Sequence, residues 1–215
     1  MTDEMYSPFN SALLLIDVVN DMLADDGKNA SQLGPMLARL DVKRALQRLL
    51  HGARAAGLKV FYVKPGIDEH SFAGVPALLP SLRRAIDGKI MWKGTYGAEF
   101  YPPLRPQVGD LVTTEHRQFN GFMGTNLETL LRENRIEKVI LAGLTSHTTV
   151  EGTGRHAMEN GYHVTFLKDA VADFTEAAHR GAVELSFPSF GHRVLTVDEF
   201  LGLVDVTAGS EHVAD

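Results

Sequence analysis

Short, continuous apolar runs alternate along this chain with segments whose apolar residues recur every three to four positions. No other feature limits the fold as much. Ser11–Val18 is one such run, broken only by Asp17 near its end, as expected of a strand buried on both faces of a parallel sheet. Asp41–Ala56 carries apolar residues at 42, 45, 46, 49, 50 and 53, a helical stripe that Gly57 closes as a cap. Leu58–Val63, Asp110–Thr114, Lys138–Ala142, Tyr162–Leu167 and Arg193–Thr196 read as further strands. Thr125-Asn-Leu-Glu128 is a capping-box pattern that opens a helix running to Asn134. Helices are also expected over Thr149–Asn160, with Val150, Ala157 and Met158 on one face, and over Thr175–Ser186. The succession predicts one α/β domain, a three-layer sandwich whose mostly parallel six-stranded sheet lies between helices joined by right-handed crossovers.

Length and charge narrow the function classes. The 215 residues suit a single domain, read here as residues 1–206 with a flexible tail at 207–215. The net charge is −6 and no Lys/Arg run occurs, so neither nucleic acid nor an anionic membrane surface has an electrostatic partner here. The longest apolar run, Ala12–Ile16, is too short to span a bilayer. The N-terminus MTDEMYSPFN is acidic and lacks a basic-then-apolar signal pattern, so a cytoplasmic protein is expected. The chain has no cysteine, which excludes disulfides and thiolate metal sites. The stretch 65–109 is the least regular, with scattered Pro and Gly and a short helix near Pro80–Asp87. Excursions of this kind often serve as lids or partner contacts.

In an open parallel sheet, ligands bind beyond the carboxyl ends of the strands. Asp17 ends the first strand, His116 follows the third, and the turn Thr145–Thr149 follows the fourth. A carboxylate at the end of an apolar strand is placed for proton transfer, though Asp17 could equally cap the next turn. His116 is a switchable proton carrier or a plain hydrogen-bonding loop residue. At the turn, backbone N–H groups of the helix start could form an anion or oxyanion site, and Gly152 and Gly154 would let another element approach closely. A plain Thr/Ser-rich cap is the simpler alternative.

With these residues in view, LLLIDVVNDM, FNGFMGTNLETLLRENRI and LAGLTSHTTVEGTGRHAMENGYHVTFLKDAVADF, taken in order, resemble the isochorismatase-like hydrolase family, also called the cysteine hydrolase or nicotinamidase-related superfamily. The resemblance covers roughly Ser11 to Glu199. It implies a Rossmann-like parallel six-stranded sheet flanked by helices, with Asp17 as general acid/base. It places His116 at the family's catalytic lysine and Thr149 at its nucleophilic cysteine. It also puts an oxyanion-hole amide at Thr145, beside a non-proline cis peptide at Leu144–Thr145, with His147 nearby. Trp92, Tyr96 and Phe119 are candidates to line the pocket, or equally core or interface residues. Some family members bind zinc after the second strand. Asp68, Glu69 and His70 fall there, but without a second histidine partner, so no metal is expected, and no cofactor. A homodimer or homotetramer is implied, with the 65–109 segment as the candidate contact.

The change at Thr149 is chemically large. A thiol has a pKa of about 8.5 and is readily activated by a helix start plus a cation. A threonine hydroxyl is far less acidic, and a helix N-terminus contributes only about 0.3–1 kcal/mol. Three readings follow. The first is a hydrolase of a small polar molecule with no covalent intermediate, as isochorismatases proper cleave a vinyl ether by protonation and addition of water. The second is an amide, ureide or lactam hydrolase that uses Thr149 or an activated water. The third is a non-catalytic small-molecule-binding protein.

Overall fold

The computed structural model describes residues 6–204; the tail expected at 207–215 lies outside them. Six strands form one parallel sheet: β1 Ser11–Ile16, β2 Lys59–Val63, β3 Leu111–Val112, β4 Lys138–Leu144, β5 His163–Ala172 and β6 Arg193–Leu195. Their spatial order is β3-β2-β1-β4-β5-β6. The chain therefore runs outward from β1 in one direction and from β4 in the other. The β1/β4 boundary is the point where ligands bind in sheets of this type.

The alternation of side chains along the strands builds the two outer layers. Leu13 and Leu15 of β1 face a core that includes Leu46, Leu49 and Leu50 of α3 (Val42–Ala55) and Phe200. The neighbouring residues Ala12, Leu14 and Ile16 face the opposite core, with Leu127, Leu131, Ala157 and Phe187. All six positions of the stripe read in the sequence are buried in α3. Helices α1 (Asn20–Leu23) and α2 (Ala30–Arg39) precede α3, and α4 spans Pro80–Asp87. Helix α5 is Leu127–Glu133, α6 Glu151–Glu159, α7 Glu176–Gly181, α8 Phe187–Phe190 and α9 Val197–Leu201. Wide π-type turns at Ser146–Val150 and Ala182–Ser186 replace parts of the two long helices expected there. No helix among the described residues is long and apolar enough to cross a membrane.

The capping box expected at Thr125 does not form. The Thr125 hydroxyl donates to the Gly121 carbonyl and accepts from the Leu127 N–H, while Glu128 is drawn to Arg132 at 2.7 Å. Strand β5 extends past its expected end because the β4–β5 register shifts between Leu141 and Gly143, letting Lys168 and Asp169 pass without breaking the ladder. At the β1/β4 boundary Gly143 has φ 119°, and a Cβ there would lie 2.0 Å from the Ile16 carbonyl oxygen. Only glycine lets β4 deliver its turn this close to the end of β1.

Candidate active site

Asp17 leaves β1 with φ 55°, a left-handed conformation that Asp tolerates better than most residues. Its N–H donates to the Val63 carbonyl, so the end of β2 holds it. His116 is laid beside the end of β2: its N–H donates to the Lys64 carbonyl, and its carbonyl accepts from the Gly66 N–H, each at 3.0 Å. These two backbones bring together side chains 99 positions apart, and His116 Nε2 lies 2.7 Å from Asp17 Oδ1. Both residues are 3% exposed.

The other nitrogen fixes the proton count. His116 Nδ1 lies 2.8 Å from the Gln118 carbonyl, which can only accept, so Nδ1 carries a hydrogen. Nε2 and Oδ1 then need one proton between them. Burial pulls the His116 pKa down, but the Asp17 charge and hydrogen bond, with help from the Gln118 carbonyl, outweigh it and hold the imidazole above its ordinary value.

The turn after β4 also lines the site. The Leu144–Thr145 peptide is cis. Thr149 is 4% exposed and lines the cavity with Thr145, His147 and Thr148. The turn is less open to an anion than its sequence suggests. The Thr148 and Val150 N–H groups donate to the Thr145 carbonyl, and the His147 N–H donates to Asp173. Among the described residues, no histidine, lysine or carboxylate is hydrogen-bonded to Thr149 Oγ1. Gly152 and Gly154 work as expected: a Cβ would lie 2.1 Å from the Phe119 carbonyl oxygen at the first and 2.2 Å from the Phe166 ring at the second.

The cavity these elements enclose has a volume of about 350 Å³. Asp17, His116 and the 145–149 turn form its polar end. Ile67, Phe72, Leu82, Ile90 and Met91, all from the irregular 65–109 stretch, form an apolar wall, with Phe119 beside it. Arg84 and Arg117 stand among the lining residues and are exposed on their outer sides. Asp17 is the one acidic side chain in the lining, paired with His116, while the Arg84 guanidinium donates to Asn29 and Gln32 and that of Arg117 to the Ser71 carbonyl.

Three expected site residues lie elsewhere. Trp92 packs against the small cluster of Ile67, Phe72 and Leu82 from outside the cavity. Tyr96 is half exposed and donates its hydroxyl to Asp26 at 2.9 Å. The Leu144 side chain is in the core with α3. Asp68 is engaged by the Lys93 ammonium at 2.9 Å, the Ser71 hydroxyl and the His70 N–H. Lys93 and Ser71 hold it well below the usual carboxylate range. Asp21 is also buried, and its carboxylate ties the Lys28 and Met91 N–H groups together. The sequence reading missed Asp173, 1% exposed at the end of β5, which binds the 146–147 turn.

Comparison with known proteins agrees with this architecture. The isochorismatase domain profile matches residues 11–199. YwoC, an uncharacterized isochorismatase family protein of Bacillus subtilis, is 34% identical over 128 residues, covering 60% of this chain and 67% of that protein. The ureidoacrylate amidohydrolase RutB of Agrobacterium fabrum is 27% identical over 94% of this chain and 92% of its own length. Among solved structures, N-carbamoylsarcosine amidase from Thermoplasma acidophilum superposes with a TM-score of 0.66 at 27% identity, covering 88% of this chain and 97% of that one.

Proposed function

This chain belongs to the isochorismatase family of hydrolases, and from that premise we propose that it hydrolyses a small anionic molecule by direct attack of water, with no covalent enzyme intermediate. The observation that carries this reading is the proton shared between Asp17 Oδ1 and His116 Nε2 at 2.7 Å, at one end of a cavity that contains Thr149 but no thiol. Asp17 acts as general acid. It passes to the substrate the proton it shares with His116, whose imidazole the Asp17 charge and hydrogen bond hold above its ordinary pKa against burial. Positioned acid–base groups of this kind contribute about 10²–10⁴ in rate.

The same acid suits two bonds. On a vinyl ether, protonation at carbon gives a cation to which water adds, and the resulting hemiketal collapses to a carbonyl and an alcohol. On a ureide or amide, protonation of the leaving nitrogen accompanies attack of water on the carbonyl carbon. The second bond is favoured by the activities of two relatives, an amidohydrolase of ureidoacrylate and an amidase of N-carbamoylsarcosine. Arg84 and Arg117 would receive the substrate's negative group. Thr149 borders the reacting centre without attacking it, because no base is joined to its hydroxyl.

The test is a hydrolysis panel of vinyl ethers, N-carbamoyl amino acids, small amides and lactams, run on the purified protein and on Asp17→Asn. Turnover that falls by about a hundredfold or more in the variant supports the assignment, and the bond cleaved selects the branch. Near-normal turnover in Asp17→Asn would refute it.

A further inference from the structure

A second histidine–carboxylate pair reaches the lining of the cavity through His147, and the acid step described above does not use it. Asp173, at the end of β5, accepts at Oδ2 from the Ser146 hydroxyl at 3.1 Å and from the His147 N–H at 2.9 Å. Its Oδ1 accepts from the Phe174 N–H at 2.8 Å. The first two bonds already anchor the turn, and the third fixes the carboxylate. A further contact is made by the His147 ring, whose Nδ1 lies 2.9 Å from the same Oδ2.

A carboxylate oxygen that accepts from two other donors takes a hydrogen from Nδ1 as well, so His147 is fixed as the Nδ1–H tautomer. Its lone pair is then on Nε2. The His147 side chain is 49% exposed and lines the cavity, and among the described residues no protein group is hydrogen-bonded to Nε2. His179 also feels the Asp173 charge, but burial dominates and holds its pKa below the ordinary value, so it does not neutralise the carboxylate.

We propose that His147 is the base that takes the proton of the attacking water, and that Asp173 is the residue that positions it. This rests on the hydrolytic reading above. In the reaction the water oxygen bonds to the electrophilic carbon while one water proton moves to His147 Nε2. The resulting imidazolium is stabilised by Asp173. The proton shared by Asp17 and His116 goes to the substrate, and the C–O or C–N bond breaks. His147 returns its proton to solvent and the Asp17–His116 pair takes one back, so each turnover consumes one water. Acid and base thus each have their own partner: Asp17 with His116, and His147 with Asp173.

Two measurements test this. 4-Nitrophenyl acetate is a suitable probe because its leaving group departs without protonation, so the rate reads the base and not the acid. His147→Gln, which leaves the Ser146, His147 N–H and Phe174 bonds to Asp173 in place, should lower kcat on this ester by about tenfold or more with KM nearly unchanged. A rate within about twofold of the parent would overturn the proposal even if Asp17→Asn abolishes turnover on the panel. Loss of the Asp17 effect on the panel would instead refute the proposed function. The second measurement is the ¹⁵N spectrum of the imidazoles, which needs no substrate. The native protein should show His147 with Nδ1 protonated and Nε2 bare, and Asp173→Asn should convert it to a mixture of tautomers. An Nε2–H tautomer in the native protein would refute the positioning role, whatever Asp173→Asn does to folding.

Discussion

Replacing Asp17 with asparagine is expected to reverse the pH dependence that His116 gives to stability. In the native protein, burial of His116 opposes its charge, but the Asp17 carboxylate 2.7 Å away outweighs burial and raises the pKa. A group with a raised folded-state pKa binds more protons folded than unfolded. Its stabilisation is complete below the unfolded value of about 6.5 and is lost as pH rises through the folded value. The Asp17→Asn variant retains a hydrogen bond, because a neutral imidazole keeps its Nδ1–H on Gln118 and accepts the new amide N–H at Nε2. Only the charge is gone. Burial then dominates, the folded pKa drops below about 6.5, and stability is lost as pH falls rather than as it rises. One proton is worth at most about 1.4 kcal/mol per pH unit. The unfolding free energy of the parent minus that of the variant should therefore decline steadily between about pH 5 and pH 8, with a slope approaching that limit near each transition. Urea unfolding at closely spaced pH values measures this, and the difference cancels His179 and the other titrating groups that both proteins share. A difference that is flat, or that rises with pH, would refute the ionised Asp17–His116 pair.

Three further outcomes are expected. Thr149→Ala should retain most turnover on the panel, and a loss of several orders of magnitude with folding intact would make Thr149 the nucleophile; Thr149→Cys should add amidase activity if the rest of a thiol site is assembled around it. Arg84→Gln and Arg117→Gln should each raise KM on a carboxylated substrate by about tenfold, equivalent to about 1.4 kcal/mol of charged hydrogen bonding, and should leave an uncharged analogue unaffected. Leu49→Ala, in the fully buried stripe of α3, should cost about 2–5 kcal/mol of stability in denaturant unfolding without altering kcat.

The sequence disclosed most where the physics is local. Six apolar residues at helical spacing can bury one face only as a helix, and α3 buries all six. The positions of Asp17, His116 and the 145–149 turn follow from where parallel strands end, and the cavity has all three in its walls. Short elements were less visible. Helix α2 contains Gly34 and Pro35, which weaken its pattern. Helix α9 is only Val197–Leu201, although its start carried a legible signal: Thr196 and Glu199 form the capping box that Thr125 and Glu128 do not. Asp173 was missed because nothing beside it in sequence marks its role. The groups it binds, Ser146 and His147, come from a turn 26 and 27 positions earlier. In the sequence Trp92 and Tyr96 stay open between pocket, core and interface, since aromatic character alone does not say on which side of a wall a ring stands.

The apolar wall of the cavity has its own cluster, Ile67, Phe72 and Leu82 with Trp92 and Phe119 packed on it, separate from the two cores that hold the sheet. The proton-handling groups sit on strand ends, while the surface that meets the body of the ligand belongs to a subassembly with its own packing. Substitutions in that subassembly can therefore remodel which molecules fit while leaving the Asp17–His116 distance untouched. Selectivity and reactivity can drift separately in this architecture, so a descendant could acquire a new substrate by rebuilding a single wall.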